Sequence, residues 1–516
     1  MVSANKPGMT RRDALRLGVY GAAALAAPAF LRSDGVPAPW ARPGRDANAL
    51  RFGPNPVSQG AASTWVGGDL KVVSRLGPPR GSITSVQGTV ALFKKGAEKD
   101  GPISSKTVTG YYADDFRVRA EFNGLDPGHY TYRVCGDELS DRSFWGNTHS
   151  SHVRPILPEP LAPRNFVRIH LAACQKYTDG YWDVYPFAQS RNPDAIIFGG
   201  DTIYADSEQT FFSRNRIRKD VSPYADVKEL FLMKYLACMD RDLKGIRQNI
   251  PLYGTPGDHE SRNNVDGGAG QYERLVRDGH LAYGMVYPGA NEAEINGFYR
   301  RVDFGQGTRI LILDTRRFRT PTDMLGETQF KWLFDEFANA KSDNVTRLLI
   351  LTSEPFTAGR EGMPDSWAGY PEQRQRVIDE LVRNGLGGIA TFLSSDYHTN
   401  LIANVRQDPL NPKADVIAHE FSGGAISSHI KNTHNVSDNV LAFSRNGNSI
   451  MEIDSYEDGR MVVTFFMYDA RIRGYVPESA ARFVEASGTK LGVQPLIFQQ
   501  VDTGRFSNPG GLALLR

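Results

Sequence analysis

Cysteine is scarce: three in 516 residues cannot build a disulfide framework, and the odd count leaves at least one thiol unpaired. Net charge is equally scarce. Sixty basic residues stand against 58 acidic ones, a formal +2, which is no electrostatic footprint for nucleic acid. Long apolar runs are missing too. The stretch from Leu17 to Leu31 falls short of the ~20 residues that span a bilayer, and no later segment is apolar for longer. No membrane span is therefore expected. The chain shows no internal repeat or low-complexity tract, and no Gly-x-Gly-x-x-Gly turn follows the first buried strand, which argues against an exported dinucleotide oxidoreductase. What remains, with 40% hydrophobic residues, 51 glycines and 30 prolines, is the composition of a loop-rich folded protein of more than one unit.

The chain opens with Thr10-Arg11-Arg12-Asp13-Ala14-Leu15-Arg16, then an uncharged Ala- and Leu-rich run, then the small residues Ala27-Pro28-Ala29. Paired arginines, an apolar stretch and a small-residue end, in that order, have the form of a twin-arginine signal peptide over residues 1–32. The expectation is a chain folded before export by the twin-arginine translocase, destined for the periplasm or secretion. These 32 residues hold five basic side chains against Asp13, a net of +4, which leaves −2 for the remainder.

Residues 33–49, rich in Pro, Ala and Gly, read as a linker. Over 50–150, short β-prone pieces such as Gly88–Phe93, Phe116–Phe122 and Tyr130–Val134 alternate with turns. This predicts a small fibronectin-III-like β-sandwich. From Phe166 the pattern becomes buried strands alternating with helical stretches. Strands are expected at 166–171, 195–198, 309–313, 348–351 and 389–393, and helices within 226–249, 326–338 and 371–384. A catalytic domain is expected over 160–475, followed by a C-terminal tail over 476–516 with enough apolar residues to serve as a lid.

Several of these strands end in ionisable residues, and in open α/β sheets the site lies beyond the carboxyl ends of the strands. The strand ending at Phe198 runs into Gly199-Gly200-Asp201-Thr202-Ile203-Tyr204. A carboxylate after a glycine turn can hold or bridge metal ions, with Tyr204 returning to the same site. Gly257-Asp258-His259-Glu260 sets a carboxylate ligand beside a histidine able to protonate a leaving alkoxide. Asp396 and His398 follow the strand ending at Leu393, separated by one residue, so in an extended segment they project the same way. Cys174 follows the first strand and offers a soft thiolate suited to a transition metal. Each piece alone is an ordinary loop; their joint placement after strands points to chemistry. Cys135 and Cys238 read as core thiols.

In this order of Cys, Asp/Tyr, Asp-His and Asp/His, the chain resembles the PhoD-type alkaline phosphatases (alkaline phosphatase D) of the calcineurin-like metallophosphoesterase superfamily, up to about residue 470. The motifs that carry the resemblance are Ala173-Cys174-Gln175, Gly200–Tyr204, Asp258-His259-Glu260 with Asn263-Asn264, Leu313–Arg319, Leu325–Gln329, Asp365–Pro371 and Ser395-Asp396-Tyr397-His398. The resemblance implies an α+β fold, a four-layer αββα sandwich, and an Fe3+ and Ca2+ cluster with one or two calcium ions. By position it makes Cys174, Asp201, Tyr204 and His398 the iron ligands, with Asp201 shared with calcium. Asp258, Asp396 and, more weakly, Asn263 become calcium ligands, and His259 the general acid. Arg316, with Arg317 and Arg319 as alternatives, becomes a clamp on the phosphate oxygens or a structural ion-pair partner.

The resemblance thus implies attack on phosphorus by hydroxide bound to such a cluster, with His259 assisting the leaving oxygen. The expected function is a secreted phosphomonoesterase with phosphodiesterase capacity, acting on phosphate esters for phosphate acquisition. A dedicated phosphodiesterase of phospholipase type and a non-catalytic calcium-dependent surface-binding protein are the alternatives. Three departures from the family pattern stand out. Its usual Trp-Asp-Asp-His-Glu is here Pro256-Gly257-Asp258-His259-Glu260, one carboxylate fewer; its Ser-Gly-Asp-Val-His is Ser394–His398 with a bulky Tyr397 expected to narrow the site; and Glu354 ends a strand without a family counterpart.

Overall fold

The structure is a computed structural model that describes residues 58 to 500 apart from internal stretches, the longest being 77–84, 150–165, 207–245, 288–296, 428–435 and 484–495. The expected signal, the linker, Cys238 and most of the helix within 226–249 lie outside the described residues.

Seven strands come first: β1 (Ser58–Val66), β2 (Asp69–Leu76), β3 (Ser85–Lys94), β4 (Ser104–Tyr111), β5 (Arg117–Phe122), β6 (His129–Gly136) and β7 (Phe144–His149). They pair antiparallel into two sheets, β1-β2-β5 and β4-β3-β6-β7. The period-2 alternation explains how the two pack. Leu70 and Val72 of β2 and Val118, Ala120 and Phe122 of β5 share one apolar core with Val90, Leu92, Tyr132 and Val134 of the other sheet. Cys135 is buried in β6. Arg119 of β5 donates to the Gly284 carbonyl at 2.7 Å, tying this unit to the rest.

The remaining strands are β8 (Phe166–Ala172), β9 (Ala195–Phe198), β10 (Leu252–Gly254), β11 (Arg300–Gly305), β12 (Thr308–Ile312), β13 (Arg347–Leu351), β14 (Ala390–Ser394), β15 (Asn400–Arg406), β16 (Val416–Ser422), β17 (Val440–Ser444), β18 (Ser449–Tyr456), β19 (Met461–Asp469), β20 (Gly474–Phe483) and β21 (Leu496–Gln500). Helices α1 (Val184–Ser190), α2 (Glu273–Val286), α3 (Glu327–Ser342) and α4 (Pro371–Arg383) connect them. Two seven-stranded sheets result, in the orders β10-β9-β8-β18-β19-β20-β21 and β11-β12-β13-β14-β16-β15-β17. The fold is mixed α/β. The tail expected from residue 476 begins instead as sheet: β20 pairs with β19 and β21 with β20.

Strand alternation places the core. Ile310 and Ile312 of β12 and Leu349 and Leu351 of β13 meet Ile169, Leu171 and Ile197 of the other sheet. The intervening Leu311, Leu348 and Ile350 turn outward onto Phe330, Leu333 and Phe337 of α3 and Val377, Ile378 and Leu381 of α4. Apolar residues at helical spacing make α3 amphipathic, while Pro371 at the first turn of α4 fits a position that has no intrahelical donor to lose. Each fully buried Leu or Ile stabilises by about 2 kcal/mol. Two blocks are parallel, β8-β9-β10 at one edge of its sheet and β12-β13-β14-β16 within the other, so the turns after their strands emerge together. Among the described residues, no helix is long and apolar enough to cross a membrane.

Candidate metal centre

The turns after β8, β9, β10 and β14 carry Cys174, Asp201, Asp258 and the Asp396-His398 pair. Cys174, Asp201, Asp396 and His398 all have left-handed backbone, with φ of 51°, 55°, 66° and 52°. Non-glycine residues enter that region at a cost of about 1–3 kcal/mol each, and such strain gathers at functional sites. Hydrogen bonds between turns hold it in place. The Cys174 amide donates to the Gly200 carbonyl at 3.2 Å, Gln175 to the Asp201 carbonyl at 2.9 Å, and Ser395 to the Ser353 carbonyl at 3.2 Å.

Potential ligand atoms lie within 4.8 Å of one another in three buried or nearly buried groups: Cys174, Asp201 and His398; Asp201, Asp258 and His259; and Asp258, Asp365 and Asp396. Asp201 and Asp258 each belong to two groups and thereby join them. The Tyr204 hydroxyl sits 3.0 Å from His398 Nε2, which brings it to the first group. Asp201 Oδ2 is buried without a hydrogen-bond partner. Burial, and then the neighbouring Asp258, drive the Asp201 carboxyl well above its ordinary range. Carboxylates packed against one another with an orphaned oxygen fit a bound cation, which would reverse that repulsion. The donor types differ along the row. Thiolate, imidazole and phenol at one end suit a transition metal, and three carboxylates at the other suit a hard cation.

His259 is held from three sides. Its Nδ1 meets Asp206 Oδ1 at 2.7 Å, its ring lies 4.1 Å from that of Tyr204, and its amide donates to Asp258 Oδ1 at 2.9 Å. Burial works against charging the ring, but Asp258, Asp201 and Asp206 outweigh it and push the pKa up to about 10. Asn263 is exposed, and its amide donates to Asp206 Oδ2 at 2.6 Å. Arg316 is 1% exposed, with Nη1 on Asp365 Oδ1 at 2.8 Å and Nε against Glu354. Tyr397, expected to narrow the site, instead packs among Ala358, Leu401, Ala403 and Val440 and donates to Met363 Sδ at 2.7 Å. Asp396 and His398 sit in a left-handed turn after β14 and not in the extended segment expected, so strand alternation does not set the directions of their side chains.

Three residues the sequence reading assigned no role belong here. Asp365 completes the three-carboxylate group, although its loop connection left no spacing to recognise. Asp206 follows Asp201 by five residues and holds His259. Glu260, fully buried, accepts amide hydrogens from Asp201 at 2.9 Å and Gly257 at 2.6 Å and the Thr202 hydroxyl at 2.6 Å, which knots two ligand-bearing turns together. The missing family carboxylate at Gly257 also acquires a reason. A Cβ there would lie 2.4 Å from Asp201 Oδ1, and one on Gly200 would lie 2.9 Å from the Gly257 Cα.

Thiol, imidazole, phenol and carboxylate groups gathered where parallel strands of two sheets end define a metal-binding site on a mixed α/β fold. The description PhoD-like phosphatase matches residues 169–471, more than half the chain, and the chain belongs to that family, within the calcineurin-like metallophosphoesterases. Alkaline phosphatase D of Bacillus subtilis (strain 168) is 27% identical over 352 residues, which are 60% of this chain and 58% of that protein. The match thus spans less than two thirds of that relative's length. A solved structure of PhoD superposes with a TM-score of 0.68 at 21% identity, covering 86% of this chain and 94% of the other. A purple acid phosphatase from yellow lupin (Lupinus luteus) seeds gives 0.56 at 10% identity, covering 82% and 74%. At these identities the likeness is one of fold.

Proposed function

We propose that the protein is an exported metal-dependent phosphoesterase, an alkaline phosphatase with phosphodiesterase capacity that releases phosphate from esters outside the cytoplasm. The observation that carries this reading is the row of three ligand groups joined through Asp201 and Asp258. Family membership and the relative described as alkaline phosphatase D support it. On this reading the two facing sheets and their helices are the four-layer αββα catalytic domain, preceded by a fibronectin-III-like domain, and residues 1–32 are the twin-arginine signal.

Cys174, Asp201, Tyr204 and His398 would hold Fe3+, and Asp258, Asp396 and Asp365, with Asp201 shared and Asn263 at the rim, would hold Ca2+. Bound metal ions supply charge neutralisation of the phosphate and Lewis-acid polarisation. The chain's own groups do the rest. Glu260 fixes the turns of Asp201 and Asp258 so that the ligands are arranged before substrate arrives. Asp206 accepts the Nδ1 hydrogen of His259, which leaves Nε2 as the nitrogen to meet substrate and deliver a proton to the departing oxygen.

The test is hydrolysis of a chromogenic phosphate monoester and diester by the mature protein, with metal analysis and a visible spectrum. Bound iron with charge-transfer colour, turnover restored by calcium after chelation, and at least a hundredfold loss in Asp201→Asn are expected. A colourless, iron-free protein inert on both esters after metal reloading would sink the reading.

A further inference from the structure

Behind the three-carboxylate group lies a second set of buried charges that the reaction does not use directly. Asp365 Oδ1 accepts from Arg316 Nη1 at 2.8 Å and from Arg319 Nη1 at 2.9 Å. Arg316 Nε turns away to Glu354, and Arg319 Nη1 stands 3.8 Å from the same Glu354 oxygen. Arg319 is itself anchored on the segment that carries Asp365: it donates to the Pro364 carbonyl and, through Nε, to the Tyr370 hydroxyl at 3.0 Å. All four residues are buried, Glu354 completely.

We propose that Arg316, Arg319 and Glu354 form a frame that presents Asp365 to the hard-cation site, which makes Arg316 a positioning residue and not a clamp on phosphate. The inference rests on the metal-site reading above. Both guanidiniums converge on Oδ1, and Oδ2 carries none of these contacts, so one oxygen is fixed and the other is left for a cation. Such orientation of a ligand by charged partners behind it is how metal sites are set in advance.

Glu354 is what keeps the frame in balance. Two guanidiniums face two carboxylates, so the formal charges of the set cancel. Without the Glu354 charge both arginines would bear on Asp365 alone and compete with the cation for it. Without Arg316, two buried carboxylates would share Arg319, and Asp365 would lose the contact that fixes its Oδ1. Only a planar fork can serve Asp365 through Nη1 and Glu354 through Nε at once; a lysine ammonium is a single point charge. A clamp, by contrast, has to reach substrate, and Arg316 is 1% exposed with two of its nitrogens already facing carboxylates.

The experiment compares wild type, Asp365→Asn, Arg316→Lys and the near-isosteric Glu354→Gln as full-length mature proteins. It reads iron and calcium content by elemental analysis, calcium affinity by calorimetric titration, iron charge-transfer absorption, and inhibition by inorganic phosphate at saturating calcium. Arg316→Lys and Glu354→Gln should each weaken calcium binding at least tenfold, in the direction of Asp365→Asn, while iron content and absorption stay at the wild-type level and phosphate inhibition changes by less than twofold. Should Arg316→Lys fail to fold, Glu354→Gln decides the matter through the same calcium titration. Calcium affinity unaltered in these variants, or weakened phosphate inhibition with calcium affinity intact, would overturn the frame and restore the clamp. A wild type that binds iron but takes up no calcium overturns the frame alone. One that binds neither metal overturns the metal-site reading itself.

Discussion

Residue 257 shows how little room the site leaves. Gly200 has φ of 108°, and its position and that of Gly257 are closed to any Cβ, the first by Gly257 backbone and the second by the Asp201 carboxylate. Gly257→Ala therefore has to displace Asp201, the residue shared between two ligand groups. Overpacking of this kind costs about 1–3 kcal/mol, and we expect at least a tenfold fall in turnover together with reduced iron content. Gly257→Asp, which restores the family's usual carboxylate, should do worse and gain no ligand. Denaturant melts and elemental analysis check this; a fully metallated, fully active Gly257→Ala protein would show that the turns have slack. At this scale the sequence was legible where a ligand ends an apolar strand, as Cys174, Asp201 and Asp396 do. Asp206 stays hidden, and Asp365 opens a motif of the family resemblance yet shows no role, because both sit in loops, where neither alternation nor spacing separates a ligand or a positioning carboxylate from a solvated acid.

Among the elements, two buried glutamates act as fasteners. Glu260 joins the turns after β9 and β10, and Glu420 of β16 does the same for the segment after β13. Glu420 accepts amide hydrogens from Phe356 at 2.8 Å, Thr357 at 2.6 Å and Ala358 at 2.8 Å, and the Ser394 hydroxyl at 2.5 Å. That segment leads on to Asp365. Glu420→Gln replaces a charged acceptor facing several donors with a group that is half donor, which costs about 2–3 kcal/mol. The amides of 356–358 should then exchange with deuterium at least tenfold faster, and unchanged protection there would refute the fastening. These glutamates also explain which strands were legible. The parallel strands β9, β12, β13 and β14 are nearly unbroken apolar runs, and β8 alternates Val167, Ile169 and Leu171 with Arg168 and His170, so all of them stand out in the sequence. Strands β15, β16 and β18 carry buried Asn400, Glu420, Ser422, Glu452 and Ser455, whose tertiary hydrogen bonds replace apolar contacts and blur the alternation. The strands β20 and β21 read as tail in the sequence on the same account, since Pro477, Glu478, Ser479 and Gln499 interrupt their apolar residues.

For the molecule as a whole, the join between β8 and β18 sets a dependence of stability on pH. Glu452 accepts from Arg191 at 2.9 and 2.7 Å and lies 3.0 Å from His170 Nε2, while Arg168 pairs with Asp454 at 2.7 and 2.6 Å. Burial opposes the Glu452 charge, but its hydrogen bonds to His170 and Arg191 prevail and bring its pKa from 4.5 to about 2. Burial also lowers His170, whose Nε2 faces the Glu452 carboxylate. Both folded values are depressed, so the unfolded chain takes up protons first as pH falls and stability is lost in acid. The His170 contribution is complete above its unfolded value near 6.5 and fades below it. The Glu452 contribution is complete above 4.5 and disappears toward 2; with partial exposure allowed for, it is on the order of 2 kcal/mol. Denaturant melts of the chelated protein at pH 8, 5 and 3 read the net effect, since the raised Asp201 and His259 of the site gain stability as pH falls while His170 and Glu452 lose it, with the Glu452 loss falling in the last step. In Glu452→Gln the last step should shrink, because the carboxyl whose protonation drives it is gone, while site carboxylates common to both proteins cancel in the difference. Parallel decline of the two proteins from pH 5 to 3 would mean that the β8–β18 join is not where acid acts.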